Sequence, residues 1–317
     1  MGRKVILDVD TGTDDAVAIM FAALHPELDL LGVTTVNGNV PLENTTDNTL
    51  RVLDWIGCPD VPVHPGVPHP IALFGFPGGR HFDTDDEHDP HGTALPIPAP
   101  RTAARDTGAV EYLVETLRAT TEPITLVPVG PLSNIATALA VDPTVAGAVD
   151  ELVVMGGGHT VTNVTASAEF NIWADPEAAN VVLSADFTRR TLVTLDATHR
   201  ALVPQRTCDA LDALGTPAGT AAARFIARRI GAYEQTAVGA APVHDVVCTA
   251  YLVAPEVIST QHLPVVVETA SPLTVGRTVI DTRPHAKAEP NAHVALDADA
   301  QLLNDLLLAT FAREAAS

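Results

Sequence analysis

The chain has 317 residues, of which 46% are hydrophobic, and this composition excludes an intrinsically disordered protein. Acidic residues outnumber basic residues by 39 to 18, which gives a formal charge of −21 at pH 7. A surface this acidic repels nucleic acids and anionic membranes, so we expect neither as a partner. A metal ion or a neutral or cationic small molecule suits this charge better.

The start of the chain and its cysteines indicate the compartment. Cys58, Cys208 and Cys248 are an odd number without CxxC spacing, so they predict no disulfide framework. Asp8 and Asp10 interrupt the first apolar run too early for a signal peptide, and no stretch reaches the length of a membrane span. We therefore predict a cytoplasmic protein.

Short apolar runs rich in β-branched residues alternate with longer helical patterns. Strands are predicted at 4–9, 30–36, 124–129, 151–156, 191–195 and 264–268. Helices are predicted at 14–24, 43–56, 107–119, 133–140, 176–184, 219–233, 245–253 and 301–314. Most of the strands are almost continuously apolar, as parallel strands covered on both faces are. The alternation predicts an α/β fold with an open, mostly parallel, Rossmann-like sheet and helices on both faces.

One segment, at about 62–100, interrupts this alternation. It is rich in Pro, Gly and His and contains "GFPGGRHFDTDDEHDPHG". A loop of this length inside a compact domain is typical of a functional flap. Three of its histidines, His81, His88 and His91, suggest a metal site, but their mixture with aspartates is more typical of a solvated flap. No repeat or linker is visible, so we predict one domain over 1–317.

Polar residues follow several of the predicted strands. Asp10 comes after the first strand and Asn39 after the second, while "VGPLSN" and "MGGG" follow the strands at 124–129 and 151–156. The segment "VHDVV" opens the helix at 245. In open α/β sheets, ligands bind beyond the carboxyl ends of the strands. We therefore expect these residues to meet at one edge of the sheet and form the functional site.

Four aspartates, Asp8, Asp10, Asp14 and Asp15, lie within eight residues in "DVDTGTDD". Their oxygen donors suit a hard cation such as Ca²⁺ or Mg²⁺, and Asp245 could add a further ligand. In the alternative interpretation, Asp14 and Asp15 only cap the following helix, whose dipole favours carboxylates. Capping explains one or two of the acids, whereas four favour a metal.

The segment "ILDVDTG" also fits the DxDxT loop of haloacid-dehalogenase-type phosphatases, where the first Asp attacks phosphorus in the presence of Mg²⁺. Such enzymes resemble one another in carrying a downstream basic residue, normally lysine. This chain has no lysine between Lys4 and Lys287. A strongly acidic protein is also a poor host for a phosphorylated substrate. An Mg²⁺ phosphatase therefore stays an alternative function.

A second resemblance covers nearly the whole chain. "DVDTGTDDA" resembles the DTDPGxDDA motif of the nucleoside hydrolases, the nucleoside N-ribohydrolases that include the inosine-uridine preferring enzymes. Further matches follow in the family's order: "VNGNV" at 36–40, "ITLVPVGPLSNIA" at 124–136, "ELVVMGGG" at 151–158, "AEFNIWADPEAA" at 168–179, "PVHDVVCTAYLVAP" at 242–255 and "TVGRTVID" at 274–281. The resemblance implies Ca²⁺-dependent hydrolysis of ribonucleosides to free base and ribose by a homodimer or homotetramer.

The resemblance also implies a role for each matching position. Asp10 would be the general base toward a Ca²⁺-bound water, and His244 would be the leaving-group acid. The ion would be held by Asp10, Asp15, Asp245 and the backbone carbonyl of Val129. The ribose 2′- and 3′-hydroxyls would be bound by Asp14, Asn39, Asn171 and Asp245, and its 5′ side by Met155, Asn163 and Glu169. Asp8 would only orient its neighbours or act as a cap.

Two departures from the family pattern bear on specificity. "HGTALP" at 91–96 lacks the second Asp-Gly that usually follows His-Gly, and the helix before His244 offers only Tyr233, with Arg228 and Arg229 nearby. The sequence therefore leaves the choice between purine and pyrimidine nucleosides open. A catalytically silent nucleoside- or sugar-binding protein that kept the metal site is a further alternative.

Overall fold

A computed structural model describes residues 2–72, 91, 93–233 and 239–313 of the chain. Its strands are β1 (Arg3–Val9), β2 (Leu28–Thr35), β3 (Val63–Pro65), β4 (Ile124–Pro128), β5 (Val149–Met155), β6 (Arg190–Val193), β7 (Leu202–Pro204), β8 (Ala240–Pro242), β9 (Ile258–Leu263), β10 (Val265–Val267), β11 (Thr278–Ile280) and β12 (Ala292–Ala298). Eight of them form a central sheet in the order β3-β2-β1-β4-β5-β6-β12-β9. Every neighbouring pair in this sheet is parallel except β12 and β9, so the predicted fold class is confirmed.

The helices are α1 (Thr13–Leu24), α2 (Leu42–Trp55), α3 (Ala109–Ala119), α4 (Ser133–Val141), α5 (Phe170–Ala174), α6 (Pro176–Ser184), α7 (Leu195–Thr198), α8 (Gln205–Ala213), α9 (Pro217–Tyr233), α10 (His244–Tyr251) and α11 (Ala300–Phe311). All eight predicted helices are present, and α5, α7 and α8 are additional. None of the described helices is both long and apolar enough to cross a membrane.

Two apolar clusters cover the two faces of the sheet. In β1, Val5, Leu7 and Val9 belong to one cluster, whereas Ile6 belongs to the other. The first cluster takes its remaining side chains mainly from α1, α2 and α8 to α11, and the second from α3, α4 and α6. Because both faces are buried, β1 has no polar side, which is why its sequence is nearly continuously apolar.

The strand predicted at 264–268 does not lie in the central sheet. Its core, β10, pairs antiparallel with β11 in a separate two-stranded sheet. Val265 and Val267 are buried there, while Val266 is 58% exposed. Valine at all three positions hides this inside-outside alternation in the sequence. The place beside β6 is taken by β12, whose His293 and Asp297 made it less recognisable as a strand.

The predicted flap at about 62–100 also differs at its beginning. Residues Val63–Pro65 form β3, which pairs with β2 at the edge of the central sheet. His81 and His88 lie outside the described residues, whereas His91 is described. The structure therefore tests the flap only at its two ends.

Glu151 holds together the amino-terminal ends of several strands. Its carboxylate accepts hydrogen bonds from Arg3 (2.7 Å), Arg189 (2.9 Å), Thr191 (2.7 Å) and Tyr251 (2.9 Å). Burial alone would raise the pKa of Glu151, but these hydrogen bonds lower it below its ordinary value. A carboxyl group with a lowered folded-state pKa stabilises the fold above its unfolded pKa, and this stabilisation is lost as the pH falls.

We expect Glu151→Gln to lower the free energy of unfolding at pH 7 by about 1–3 kcal/mol, because charged hydrogen bonds are lost. The difference from the wild type should narrow below about pH 4. Urea denaturation at both pH values measures this, with the exposed Glu115→Gln on α3 as control. Equal urea midpoints for wild type and Glu151→Gln at pH 7 would contradict the role of this network.

Candidate active site

The turn between β1 and α1 carries the first three acidic residues of the site. Asp15 caps α1, because its carboxylate accepts hydrogen bonds from the backbone N–H groups of Asp10 (3.1 Å) and Gly12 (2.9 Å). The capping interpretation is therefore correct for Asp15. It does not account for Asp10 and Asp14, which are also buried at this turn.

Asp10 is held between the ends of β2 and β4. The backbone N–H of Asn39 donates to Asp10 Oδ2 at 2.7 Å, and the side chain of Asn39 donates to Asp15 Oδ2 at 3.2 Å. Two glycines leave room for the Asp10 carboxylate. A Cβ at Gly38 would lie 2.1 Å from its Oδ2, and a Cβ at Gly130 would lie 2.8 Å from its Oδ1. Any larger residue at these positions would displace Asp10.

The start of α5 and the segment before it supply a second group of polar side chains. Asn171 Nδ2 donates to the carbonyl oxygens of Val129 (2.7 Å) and Met155 (3.3 Å). Glu169 accepts from the backbone N–H groups of Gly157 (2.8 Å) and Asn171 (2.9 Å). These bonds join the carboxyl ends of β4 and β5 to the start of α5.

Asn163 lies at the exposed outer end of this group. Its Oδ1 accepts a hydrogen bond from the backbone N–H of Phe170 at 2.9 Å, which fixes it next to Glu169. Asn163, Glu169 and Met155, which were predicted for the 5′ side of a ribose, lie here beside Asn171, which was predicted for its 2′- and 3′-hydroxyls.

The first turn of α10 brings His244 and Asp245 to the same place. Asp14, Asp15 and Asp245 each offer a carboxylate oxygen, and these oxygens lie within 4.8 Å of one another. Asp10 lies beside these three residues, because its backbone N–H donates a hydrogen bond to Asp15 Oδ1. His244 Nδ1 lies 2.7 Å from Thr198 Oγ1. The expectation that residues scattered along the sequence meet at the carboxyl edge of the sheet is confirmed.

Three of the four carboxylates in this cluster have raised pKa values. Burial, together with the charges of neighbouring aspartates, raises the pKa values of Asp10 and Asp245 well above their ordinary range and that of Asp15 to about 6. Burial would also raise the pKa of Asp14, but Arg229, together with the nearby His91 and His244, outweighs this effect and lowers that pKa. An oxygen-only set of buried acids with raised pKa values fits a hard divalent metal.

Two contacts of the site were not predicted from the sequence, one made by Arg229 and one made by Thr198. Arg229 is 2% exposed, and its Nη1 lies 2.9 Å from Asp14 Oδ1. Its position on the buried face of α9, after Ala222, Phe225 and Ile226 at helical spacing, was a usable indication. A charged residue on an apolar helix face requires a buried partner. Nothing in the sequence around Thr198 indicates its contact with His244.

His91, the first residue of the segment "HGTALP" at 91–96, lies within the described residues. It lies against the start of α1, where the backbone N–H of Thr13 donates to its Nδ1 at 3.3 Å. The same nitrogen is 3.6 Å from Asp14 Oδ1. A Cβ at Gly12 would lie 2.0 Å from His91 Nδ1, so Gly12 makes room for this ring.

Residues 5–305 match the family model described as inosine-uridine preferring nucleoside hydrolase. The chain belongs to the nucleoside hydrolase family. It is 41% identical to the pyrimidine-specific ribonucleoside hydrolase RihB of Escherichia coli over 281 residues, 88% of this chain and 87% of that one. The same enzyme of Escherichia fergusonii matches with equal identity and coverage.

Solved nucleoside hydrolase structures share the fold. The purine-preferring ribonucleoside hydrolase from Gardnerella vaginalis aligns with a TM-score of 0.87 and 30% identity over 98% of both chains. A plant nucleoside hydrolase aligns with a TM-score of 0.89 and 27% identity, covering 98% of this chain and 99% of its own. The protein is therefore a ribonucleoside hydrolase that cleaves N-glycosidic bonds. Neither the phosphatase nor the silent binding protein is favoured.

We expect Gly38→Ala to lower kcat/KM for ribonucleoside hydrolysis about 100-fold, because the added methyl group displaces Asp10. Gly147→Ala is the matched control, since a Cβ there meets no atom within 4 Å. Ribose release by the two variants and the wild type measures the effect. Full activity in Gly38→Ala would show that the position of Asp10 is not critical.

Proposed function

We propose that this nucleoside hydrolase depends on Ca²⁺ and prefers pyrimidine ribonucleosides. The observation that carries the metal part is the cluster of Asp10, Asp14, Asp15 and Asp245, four buried carboxylates of which three converge within 4.8 Å. The pyrimidine part rests on the 41% identity to relatives named pyrimidine-specific, against 30% to a purine-preferring enzyme.

Asp10, Asp15, Asp245 and the carbonyl oxygen of Val129 would hold the ion. Asp15 and Asp245 support this directly, because their oxygens lie in the converging trio. The third member of the trio is Asp14 rather than Asp10, although Asp10 borders the cluster. A bound Ca²⁺ would neutralise part of the negative charge and make a water at the site easier to deprotonate.

Asp10 would act as the general base toward the attacking water. Burial and the neighbouring Asp15 raise the pKa of Asp10, which makes it a stronger base than an ordinary aspartate. Its Oδ2 is fixed by the N–H of Asn39, so the carboxylate is pre-oriented. Attack of water on the face of the ribose opposite the nucleobase, without a covalent intermediate, would invert the configuration of the anomeric carbon.

The remaining polar side chains would bind the sugar. Asp14, Asn39, Asn171 and Asp245 would take the 2′- and 3′-hydroxyls, and Met155, Asn163 and Glu169 the 5′ side. Breaking the N-glycosidic bond builds positive charge on the sugar, and the surrounding carboxylates stabilise that charge. The hydrogen bonds that already link these residues hold them in place before the substrate arrives.

His244 would serve the departing base. Burial and the charge of Arg229 lower the pKa of His244 to about 3, so the ring is neutral at neutral pH. If the hydroxyl of Thr198 donates to Nδ1, the ring carries its proton on Nε2. A neutral ring of this tautomer can donate a hydrogen bond to the base as negative charge develops there.

Assembly, compartment and domain organisation are also proposals. A homodimer or homotetramer is supported by apolar side chains exposed beside the β10–β11 hairpin, namely Val266 (58%), Val279 (43%) and Leu273 (85%). A cytoplasmic location is supported by Cys58, Cys208 and Cys248, which are all free thiols. One domain over 1–317 is supported by the family match to residues 5–305.

Asp10→Asn should lower kcat at least ~1,000-fold, because the amide cannot accept the proton of the attacking water. The exposed Asp29→Asn on β2 is the control for loss of one negative charge. Single-turnover ribose release gives the rate, and thermal unfolding shows whether the fold is retained. Substantial turnover by Asp10→Asn would make the general-base assignment wrong.

A panel of nucleosides tests the metal and the base preference together. We expect ribose release from uridine and cytidine to exceed that from inosine and adenosine, to stop after treatment with a chelator and to return with added Ca²⁺. Chelator-resistant turnover would contradict the metal proposal, and a purine-first ranking would contradict the pyrimidine proposal. Cleavage of a generic phosphomonoester with no nucleoside turnover would restore the phosphatase alternative, and nucleoside binding without turnover would restore the silent binding protein.

A further inference from the structure

Arg229 brings a buried positive charge into the carboxylate cluster. Its side chain is 2% exposed, and its Nη1 forms the 2.9 Å ion pair with Asp14 Oδ1. The other two arginines of α9, Arg224 and Arg228, are exposed on the solvent side of the helix. A buried guanidinium loses its hydration, and only a well-placed partner compensates for this loss. Arg229 is therefore placed to form an ion pair with the buried Asp14, whereas Arg224 and Arg228 face solvent.

The same guanidinium connects two separate segments of the site. Its Nε donates to the carbonyl oxygen of Pro242 at 3.0 Å, two residues before His244. Its Nη1 also donates to Thr13 Oγ1 at 3.3 Å, at the start of α1. Arg229 therefore ties the beginning of α1, with Asp14 and Asp15, to the strand end that leads into α10.

The charges of the cluster divide unequally. Asp10, Asp14, Asp15 and Asp245 together carry four negative charges when ionised, and Arg229 supplies one positive charge. Because Arg229 is paired with Asp14, that carboxylate is the one whose charge is already compensated. The three other carboxylates remain for a divalent cation.

We propose that Arg229 is a positioning residue that reserves Asp14 for the sugar. The carboxylate of Asp14 lies within 4.8 Å of those of Asp15 and Asp245, but the ion pair of Arg229 with Asp14 Oδ1 keeps it from being used as a further metal ligand. The ion pair also fixes the carboxylate for hydrogen bonding to a ribose hydroxyl. This inference rests on the proposed function, since it assigns Asp14 to the ribose and a divalent cation to its neighbours.

We expect removal of Arg229 to strengthen Ca²⁺ binding and to weaken recognition of the ribose hydroxyls. In Arg229→Met, Asp14 loses its ion pair while its carboxylate already lies within 4.8 Å of those of Asp15 and Asp245, so the cluster gains one uncompensated charge and one donor. Ca²⁺ affinity, measured by calorimetry on the metal-stripped protein, should rise about tenfold. The preference for a ribonucleoside over its 2′-deoxy or 3′-deoxy counterpart, measured as kcat/KM, should fall about tenfold for the hydroxyl that Asp14 binds.

Three further variants separate positioning from a structural role. Arg224→Met removes an exposed arginine of the same helix and should change neither quantity. Asp14→Asn in the Arg229→Met background removes the released charge, so Ca²⁺ affinity should return to near the wild-type value. Arg229→Lys keeps the positive charge but loses the planar guanidinium group. Ca²⁺ affinity should therefore stay near the wild-type value, while the preference for the ribose hydroxyl falls.

Arg229→Met could instead bind Ca²⁺ more weakly and keep the wild-type preference for ribonucleosides over their deoxy counterparts. This result would overturn the proposal and make Arg229 a structural residue. Unchanged Ca²⁺ binding would overturn it as well. If Arg229→Met does not fold, Arg229→Lys decides, because unchanged hydroxyl selectivity there contradicts the proposal. A wild-type protein that releases no ribose would refute the proposed function, whereas the calorimetric comparison would still test whether Arg229 keeps Asp14 from the ion.

Discussion

The burial of four carboxylates at one edge of the sheet is the constraint on which the rest of the site depends. Like charges in a medium of low polarity repel strongly, so their pKa values rise unless positive charge or hydrogen-bond donors join them. The protein compensates for them unequally. Asp14 has Arg229, Asp15 has two backbone N–H groups, and Asp10 has the N–H of Asn39. The remaining negative charge would be compensated by a divalent cation and by the positive charge of the transition state.

The architecture brings these groups together at the ends of the strands. Parallel strands end at the same edge, so residues that follow β1, β2, β4 and β5 meet there although they are far apart in sequence. Gly38 and Gly130 let two of these turns approach Asp10 closely, and Asn171 ties the ends of β4 and β5 together. The structural network around Glu151 belongs to the opposite end of the strands. Stability and chemistry are therefore located at different ends of the same sheet.

The elements predicted correctly from the sequence include those in which burial is continuous along the chain. Helix α1 is buried on every side from Ala16 to Ala22, and β1 is buried on both faces, so each is a continuous apolar run. The pattern failed at 264–268, because three valines do not reveal that Val266 faces solvent in a small hairpin. It also failed at β12, whose polar residues concealed a strand of the central sheet.

The sequence by itself determined the fold class, the family and the residues expected at the carboxyl edge, because strand-helix alternation and motif order are properties of the chain. Only the tertiary structure decided which partner each buried aspartate contacts. Arg229 is separated from Asp14 by more than two hundred residues, and their 2.9 Å contact exists only once α9 packs beside α1. Spacing along a chain specifies local turns and caps, whereas the pairing of buried charges depends on which distant elements share a face of the sheet.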